Sequence, residues 1–556
     1  MRKLLFLSFL IIGFSALAQP KFFRTMYSDK PENEFTIGFS ENLISIPFTY
    51  KIYYSENDHG TDTSLYATDN TPVGIDRTVQ LMKGMRHHFV RLKNLTPNTN
   101  YYFVLAYTDP SGTYKQLSKR YYSKTMSDNA QDPISFVAGG DSRLNIDEGP
   151  IATLESITIR KETNKMVAKL NPDFVAFGGD YTFANTEIEW IQWFTDWELT
   201  YSSDGKITPI VAAIGNHEVL PFGCPQCDNS VVNQLFDTPN KDNYYAITFN
   251  NNLFRLYTLN TEMAIEGAQT EWLVNDLADN RNVLWKGAQY HKPIRPHEAG
   301  KSDNNDAFAN WAEPFYREQV RLVIECDAHV VKTTWPVIPT TAGDDDIICG
   351  EAVDHNFVKT TNGKGTTYVG EGTWAALRTG DDAKTWTRDM GSINQIKWVW
   401  VFENEIQART VQTYKSDDAN YTNNVEQLTD SSKFTIPDGV TLWSGQQGDE
   451  MVSIKNNNHT AVPTNPCQTV GVERIEALST GMIVAPNPAQ NGTFTIRLKH
   501  SAKISKVEIY TLNGKMMQQF NFSGDQHKVK LNQYGNGILI VVDNVNGKFM
   551  EKVIMN

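Results

Sequence analysis

The sequence predicts a multidomain chain: an N-terminal β-sandwich, a central layered α/β domain and a small C-terminal β-sandwich. Three observations carry this. Residues 20–130 hold β-branched and aromatic runs separated by turn residues. Residues 133–415 alternate short apolar runs with amphipathic stretches. Residues 482–556 return to short β runs with hairpin signals. The length agrees, since 556 residues exceed one ordinary domain.

The elements follow in order. Arg2 and Lys3 precede an apolar run over 4–17, and Ala16-Leu17-Ala18 offers small residues for cleavage before Gln19. Residues 1–18 therefore read as a signal peptide. No Cys lies near the cut to carry a lipid, and no later run is long and apolar enough to span a bilayer. In the sandwich, 35–39, 48–54 and 101–107 are strand runs. Leu95-Thr96-Pro97-Asn98-Thr99-Asn100-Tyr101 resembles the corner of a fibronectin type III domain, where a Tyr hydroxyl ties back to the backbone. The central domain has strand candidates at 134–138, 174–177, 207–214 and 253–259. Helix candidates lie at 151–170, 187–199, 269–277 and 307–319. Residues 416–481 are polar, rich in Asn, Ser and Thr, and read as a linker.

Composition narrows the function. The chain is 40% apolar and 21% charged, with 51 basic against 64 acidic residues and a net charge of -13. An acidic surface argues against a nucleic-acid or anionic-membrane partner. It says nothing against a small anionic substrate, whose field is local. Of five cysteines, Cys224 and Cys227 form a lone C-x-x-C; a zinc ribbon needs a second pair, so a local disulfide is the better reading. An odd count leaves at least one thiol free or paired between chains.

Chemistry concentrates where apolar runs end. Gly140-Asp141, Gly179-Asp180, Gly215-Asn216-His217-Glu218, Tyr290-His291-Lys292-Pro293 and Cys326-Asp327-Ala328-His329 each place an oxygen or imidazole donor there. Two divalent ions need hard donors, and from several strand ends, because one loop cannot surround both. A lone Gly-Asp is usually only a turn. Five such strings in this order are far more specific.

With these strings the segment 133–415 resembles the calcineurin-like metallophosphoesterases, and within them the purple acid phosphatases. Leu259-Asn260-Thr261-Glu262, Gln269-Thr270-Glu271-Trp272-Leu273, Thr334-Trp335-Pro336-Val337 and Gly365-Thr366-Thr367-Tyr368-Val369 with Gly372 follow that family's order. The resemblance implies αββα-type layers and two metal ions, drawn from Fe, Mn, Zn or Mg. It gives Asp141 and His329 to the first metal, Asp180 to the bridge, and Asn216 and His291 to the second. His217 would stabilise the phosphoryl oxygens or the leaving group. His297, six residues after His291, would contact phosphate or protonate the leaving oxygen, or else be an exposed loop histidine.

Three positions depart from the family. Phe183 stands where purple enzymes carry a metal-binding Tyr, so their colour should be absent. Tyr181 is a poor substitute, because adjacent strand-end side chains diverge. Asp327 replaces a His; it is either a ligand to the second metal, favouring harder ions, or a salt-bridged or capping carboxylate. Arg143 either contacts phosphate through its fork or pairs with a site carboxylate.

In residues 482–556, Ala485-Pro486-Asn487-Pro488, Leu512-Asn513-Gly514-Lys515 and Tyr534-Gly535-Asn536-Gly537-Ile538 resemble the type A sorting domain of the type IX secretion system. That implies a partnership with the secretion machinery and passage through the periplasm, to release or the outer-membrane surface. The reading is an exported phosphoesterase, acting on small phosphorylated substrates, phosphomonoesters first, through a hydroxide held between the metals. Phosphodiester hydrolysis at the same site, or a non-catalytic binding protein on a degenerate phosphatase fold, are the alternatives.

Overall fold

The computed structural model describes residues 19–42, 48–113, 115–219, 230–360, 364–414, 421–422, 436–448, 451–455, 482–490, 492–511, 515–531, 537–544 and 547–554. The signal-peptide reading, the Cys224/Cys227 pair and most of the 416–481 linker lie outside these residues. The chain divides into two compact units, 1–467 and 468–556.

Two sheets lie face to face in the first unit. The centre of the first sheet is parallel: Phe174–Phe177 pairs with Ile134–Gly139 on one side and Ile210–Ala212 on the other. The second sheet runs Phe254–Thr258, Trp285–Gln289, Val320–Glu325 and Thr367–Gly370, again parallel. Alternation along each strand explains the layers. Phe136, Ala138, Phe174 and Ala176 meet Leu256, Leu322, Ile324 and Val369 in a shared core between the sheets. Val137, Val175 and Phe177 point the other way, against helix residues Trp190, Trp193, Phe194 and Trp197. Tyr257, Ala288 and Val323 of the second sheet bury Leu273, Leu277, Trp311 and Phe315. Strands covered on both faces need unbroken apolar runs, which is what the sequence carries there. The expected helix–sheet–sheet–helix layering is the observed one.

The helices begin where local chemistry starts them. Glu187–Trp197 opens with a capping box, Thr186 and Glu189 satisfying each other's backbone N–H groups. Its buried residues Trp190, Trp193, Phe194 and Trp197 recur at helical spacing and form the face laid on the sheet. Each such ring stabilises the packing by roughly 2–3 kcal/mol. Pro150–Leu170 has Pro at its start and ends at Asn171 in the left-handed region, φ 48°.

The N-terminal segment shares a sheet with the central domain. Lys21–Met26 pairs in parallel with Ile210–Ala212 through Met26 and Ile210, so Phe35–Asn42, Met85–Leu92 and Arg77–Met82 extend the first sheet outward. No local pattern announces this pairing, because its strands lie far apart along the chain. Buried Arg24 seals the junction, donating from Nε to the Leu235 carbonyl at 2.6 Å while stacking on Phe89 and Phe194. Thr49–Ser55, Asn100–Thr108, Lys115–Leu117 and Tyr121–Lys124 form a separate sheet. The Tyr101 corner is present: its hydroxyl accepts from Thr96 N at 2.8 Å and donates to Glu56 Oε1 at 2.7 Å.

The second unit is an antiparallel sheet of Met482–Gln490, Thr493–Thr511, Met516–Lys530, Gly537–Asn544 and Gly547–Ile554. Val484, Phe494, Ile496, Val507, Ile509 and Val529 are among its buried core. Among the described residues, no helix is long and apolar enough to cross a membrane.

Candidate metal centre

The parallel strands of both sheets end at one edge. Phe177 lies in register with Gly139 and with Ala212, so the chain leaves all three strands at one level, towards Asp141, Asp180 and Asn216. From the second sheet, Trp285–Gln289 leads to His291 and Val320–Glu325 to Asp327 and His329. Crowding this edge requires unusual backbone. Asp141, Asp180, Asp327 and His329 all have positive φ, from 55° to 68°. Such conformations cost of order 1 kcal/mol or more each and persist where the fold over-determines them. Glycine makes the approach possible. A Cβ on Gly179 would stand 2.5 Å from Gly215 N, and one on Gly372 would stand 1.6 Å from Asp141 Oδ2.

Donor atoms of Asp141, Asp180 and His329 all lie within 4.8 Å of one another, and all three residues are buried. His329 Nε2 is 3.0 Å from Asp141 Oδ1. His291 Nε2 is 3.0 Å from Asn216 Oδ1, 3.2 Å from Asp180 Oδ1 and 3.7 Å from Asp327 Oδ1. Its Nδ1 is 2.9 Å from the Gly178 carbonyl, which can only accept; this fixes the tautomer and leaves Nε2 for a metal. Asp180 thus sits between the two groups of donors, the position of a bridging carboxylate.

Charge at the site is unbalanced. Burial pushes Asp141 up to about 8; His291 opposes this, while Asp180 and Asp327 add to it. Burial also raises Asp180, but His291 and His217 outweigh it and hold the group well below the carboxylate range. Burial lowers His291, yet Asp180 and Asp141 carry it well above an ordinary imidazole, so an ion taking its Nε2 would displace a proton. Burial and then Arg143 keep His329 neutral, as a metal ligand must be. Three carboxylates share this enclosed edge; Arg143 and Lys301 offset part of their charge, and a divalent cation would offset more. The donor set is oxygen and imidazole, with no thiolate, and fits Mn, Fe, Zn or Mg.

Around this cluster the remaining expected residues take distinct positions. His217 donates from N to Asp180 Oδ1 at 3.0 Å, its Nδ1 is held by the Phe183 carbonyl, and its Nε2 is 3.7 Å from Asp180 Oδ2. Phe183 packs on the His217 ring at 5.3 Å, and Arg143 lies over Phe183 at 5.4 Å. Arg143 Nε is 3.9 Å from Asp180 Oδ2; both Nε and Nη1 are buried and, among the described residues, without hydrogen-bond partners. Tyr181 turns into the core and donates to the Ala213 carbonyl at 2.9 Å, so it is no substitute ligand. Asp327 is held by Lys301, whose Nζ is 2.8 Å from Oδ1, while Asp327 N donates to Asp141 Oδ2 at 2.9 Å.

His297 is not brought to the cluster, a correction to its expected role. It is fully enclosed, with Nε2 2.7 Å from Thr387 Oγ1, its backbone N donating to Glu371 Oε2 at 2.9 Å, and its ring against Trp386. Burial, then Lys332 and Lys384, keep it neutral. A ring used this way packs the loop and is not presented to a phosphate ester.

The roles of two residues escaped the sequence reading. Glu218 accepts from Gly215 N at 3.0 Å, Asp180 N at 2.9 Å and Tyr181 N at 2.9 Å, fixing two ligand loops at once. Its place directly after Asn216-His217 was the available signal. Lys301 had none. Cys326 is a free buried thiol, and Cys349 is disulfide-bonded.

Comparison with known proteins agrees with this geometry. The calcineurin-like phosphoesterase family model matches residues 148–330, and the secretion system C-terminal sorting domain model matches 484–556. The first span contains Asp180, Asn216, His217, His291, Asp327 and His329; Asp141 precedes it. The structure of purple acid phosphatase PPD1 from yellow lupin (Lupinus luteus) seeds is similar, with a TM-score of 0.56 at 16% identity over 71% of this chain and 72% of that one. The structure of PhoD is similar at a TM-score of 0.52 and 11% identity, over 79% of this chain and 93% of that one. At those identities the likeness speaks for the fold. No curated protein matches. The chain carries a calcineurin-like phosphoesterase domain, of the phosphoric ester hydrolases that use divalent metal ions, and a type IX secretion sorting domain that directs it to export or the cell surface.

Proposed function

We propose that this protein hydrolyses phosphomonoesters outside the cytoplasm with two divalent ions. The observation that carries the reading is the convergence of Asp141, Asp180 and His329 within 4.8 Å, beside His291 and Asn216. Asp141 and His329 would hold one ion, Asn216 and His291 the other, with Asp180 shared and Asp327 at the rim of the second. When bound, the ions supply a nucleophile from water at neutral pH and neutralise phosphoryl oxygens.

The chain's own residues supply the rest. His217 is oriented by the Phe183 carbonyl, and its Nε2 faces the site, placed to hydrogen-bond a phosphoryl oxygen or the leaving group. Next to Asp180, Arg143 has two buried N–H groups without partners among the described residues. An unsatisfied buried guanidinium is costly unless an anion meets it, and a phosphate oxygen is a fitting one. That supports a dianionic monoester over a monoanionic diester. Phe183 fixes the guanidinium by stacking and leaves no phenolate for a metal.

The test compares a chromogenic phosphomonoester with the corresponding diester. The monoester is expected to turn over faster, and Asp180→Asn to abolish both activities. Wild-type rates in Asp180→Asn would show the bridge assignment to be wrong. Arg143→Met is expected to raise KM for the monoester about tenfold or more, the loss of one charge-assisted contact. An unchanged KM would remove Arg143 from the site.

A further inference from the structure

We propose that Lys301 contests the second metal position through Asp327 and, once displaced by the ion, binds the substrate phosphate. This rests on the phosphoesterase reading above. The loop that leaves His291 turns His297 inward, so another side chain of that loop faces the site. A turn closed by Lys301 N on the Glu298 carbonyl at 3.0 Å, and anchored by Ala299 N on Asp381 Oδ1 at 2.9 Å, delivers Lys301. Its ammonium is 2.8 Å from Asp327 Oδ1, the same oxygen that lies 3.7 Å from His291 Nε2. One carboxylate oxygen thus faces both a resident cation and the second metal's ligands.

The two cations compete for it. An ammonium and a divalent ion drawn to one carboxylate oxygen repel each other, the more so where little water screens them. Either Asp327 stays with Lys301 and the second ion binds without it, or the ion takes Asp327 and Lys301 leaves. Exposure decides which group moves: the Lys301 side chain is 24% exposed and Asp327 11%. A displaced ammonium on a four-carbon stem stays at the mouth, where the phosphoryl group binds. Arg143, 3.9 Å from the shared Asp180, bears on both positions, whereas Lys301, 2.8 Å from Asp327, bears on the second alone. The two metal positions are therefore unequal, and substrate carrying two negative charges binds best when the second is filled.

The experiment titrates metal-free wild type, Lys301→Met and Lys301→Arg with Mn²⁺ by calorimetry, and measures KM for 4-nitrophenyl phosphate and its diester. Wild type is expected to bind one Mn²⁺ tightly and a second at least about tenfold more weakly; Lys301→Met tightens the weaker step by about tenfold. The same variant is expected to raise monoester KM by about tenfold with a smaller effect on the diester, and Lys301→Arg to restore monoester KM. Circular dichroism confirms that each variant is folded. Unchanged Mn²⁺ affinity in Lys301→Met overturns the proposal, and so does unchanged monoester KM. A wild type that neither binds Mn²⁺ nor turns over either ester overturns the phosphoesterase reading itself, a distinguishable result.

Discussion

Individual side chains show how much of the site can be read from strings of residues and where that stops. The convergence of Asp141, Asp180, Asn216, His291 and His329 on one edge is legible because each follows a strand end of the layered domain. The loop after His291 is not legible. Nothing periodic distinguishes His297, which packs inward, from Lys301, which reaches Asp327. Phe183 shows the opposite case: its identity alone excludes a phenolate ligand, so iron-loaded protein is expected to lack a tyrosinate charge-transfer band in the visible. A purple protein would contradict that. Glu218 makes the sharpest residue prediction. Glu218→Ala strands three buried N–H groups on two ligand loops. We predict a loss of about 3 kcal/mol or more in thermal or denaturant unfolding, together with weaker Mn²⁺ binding. Full stability would mean that water replaces the carboxylate.

At the level of elements, strands buried on both faces were the easiest to find, because burial demands continuous apolar runs. The continuity of the N-terminal strands with the central sheet was hidden, since sheet pairing over long separation has no local signature. One strand breaks its own rule. Gln395–Val401 carries Lys397 on the side of Val399 and Val401, which face the core between the sheets. Its ammonium donates to Thr410 Oγ1 at 2.7 Å and stands 3.5 Å from Thr333 Oγ1. Burial pushes this lysine down to about 7, with Asp389 opposing. Between pH 7 and the ordinary lysine range the unfolded chain binds the proton and the folded chain does not, so this group makes stability rise with pH there. Lys397→Met is expected to stabilise the protein by on the order of 2 kcal/mol at pH 7 and to flatten that rise. Urea unfolding at several pH values checks it; a destabilised variant with an unchanged slope would mean that the threonine contacts outweigh the burial cost.

The molecule as a whole separates chemistry from delivery. The metal-binding edge belongs to one compact unit and the sorting domain to another, with its own core. Removing residues 482–556 is therefore expected to leave the melting temperature of the catalytic unit and its kcat/KM unchanged while abolishing export. Loss of activity on truncation would show that the units depend on each other. Both ends of this plan were legible: the sorting domain from its turn motifs, the phosphoesterase from ordered ligand strings. What the sequence left out is the balance of charge at the edge, which arises only when loops from two sheets meet. Metal content and turnover together report on that balance. Purified protein, analysed for bound metal and assayed on a chromogenic phosphomonoester, is predicted to hold up to two divalent ions per chain, to lose activity on chelation and to regain it with Mn²⁺, Zn²⁺ or Fe. Sub-stoichiometric metal with no turnover of monoester or diester after any of these additions would contradict it.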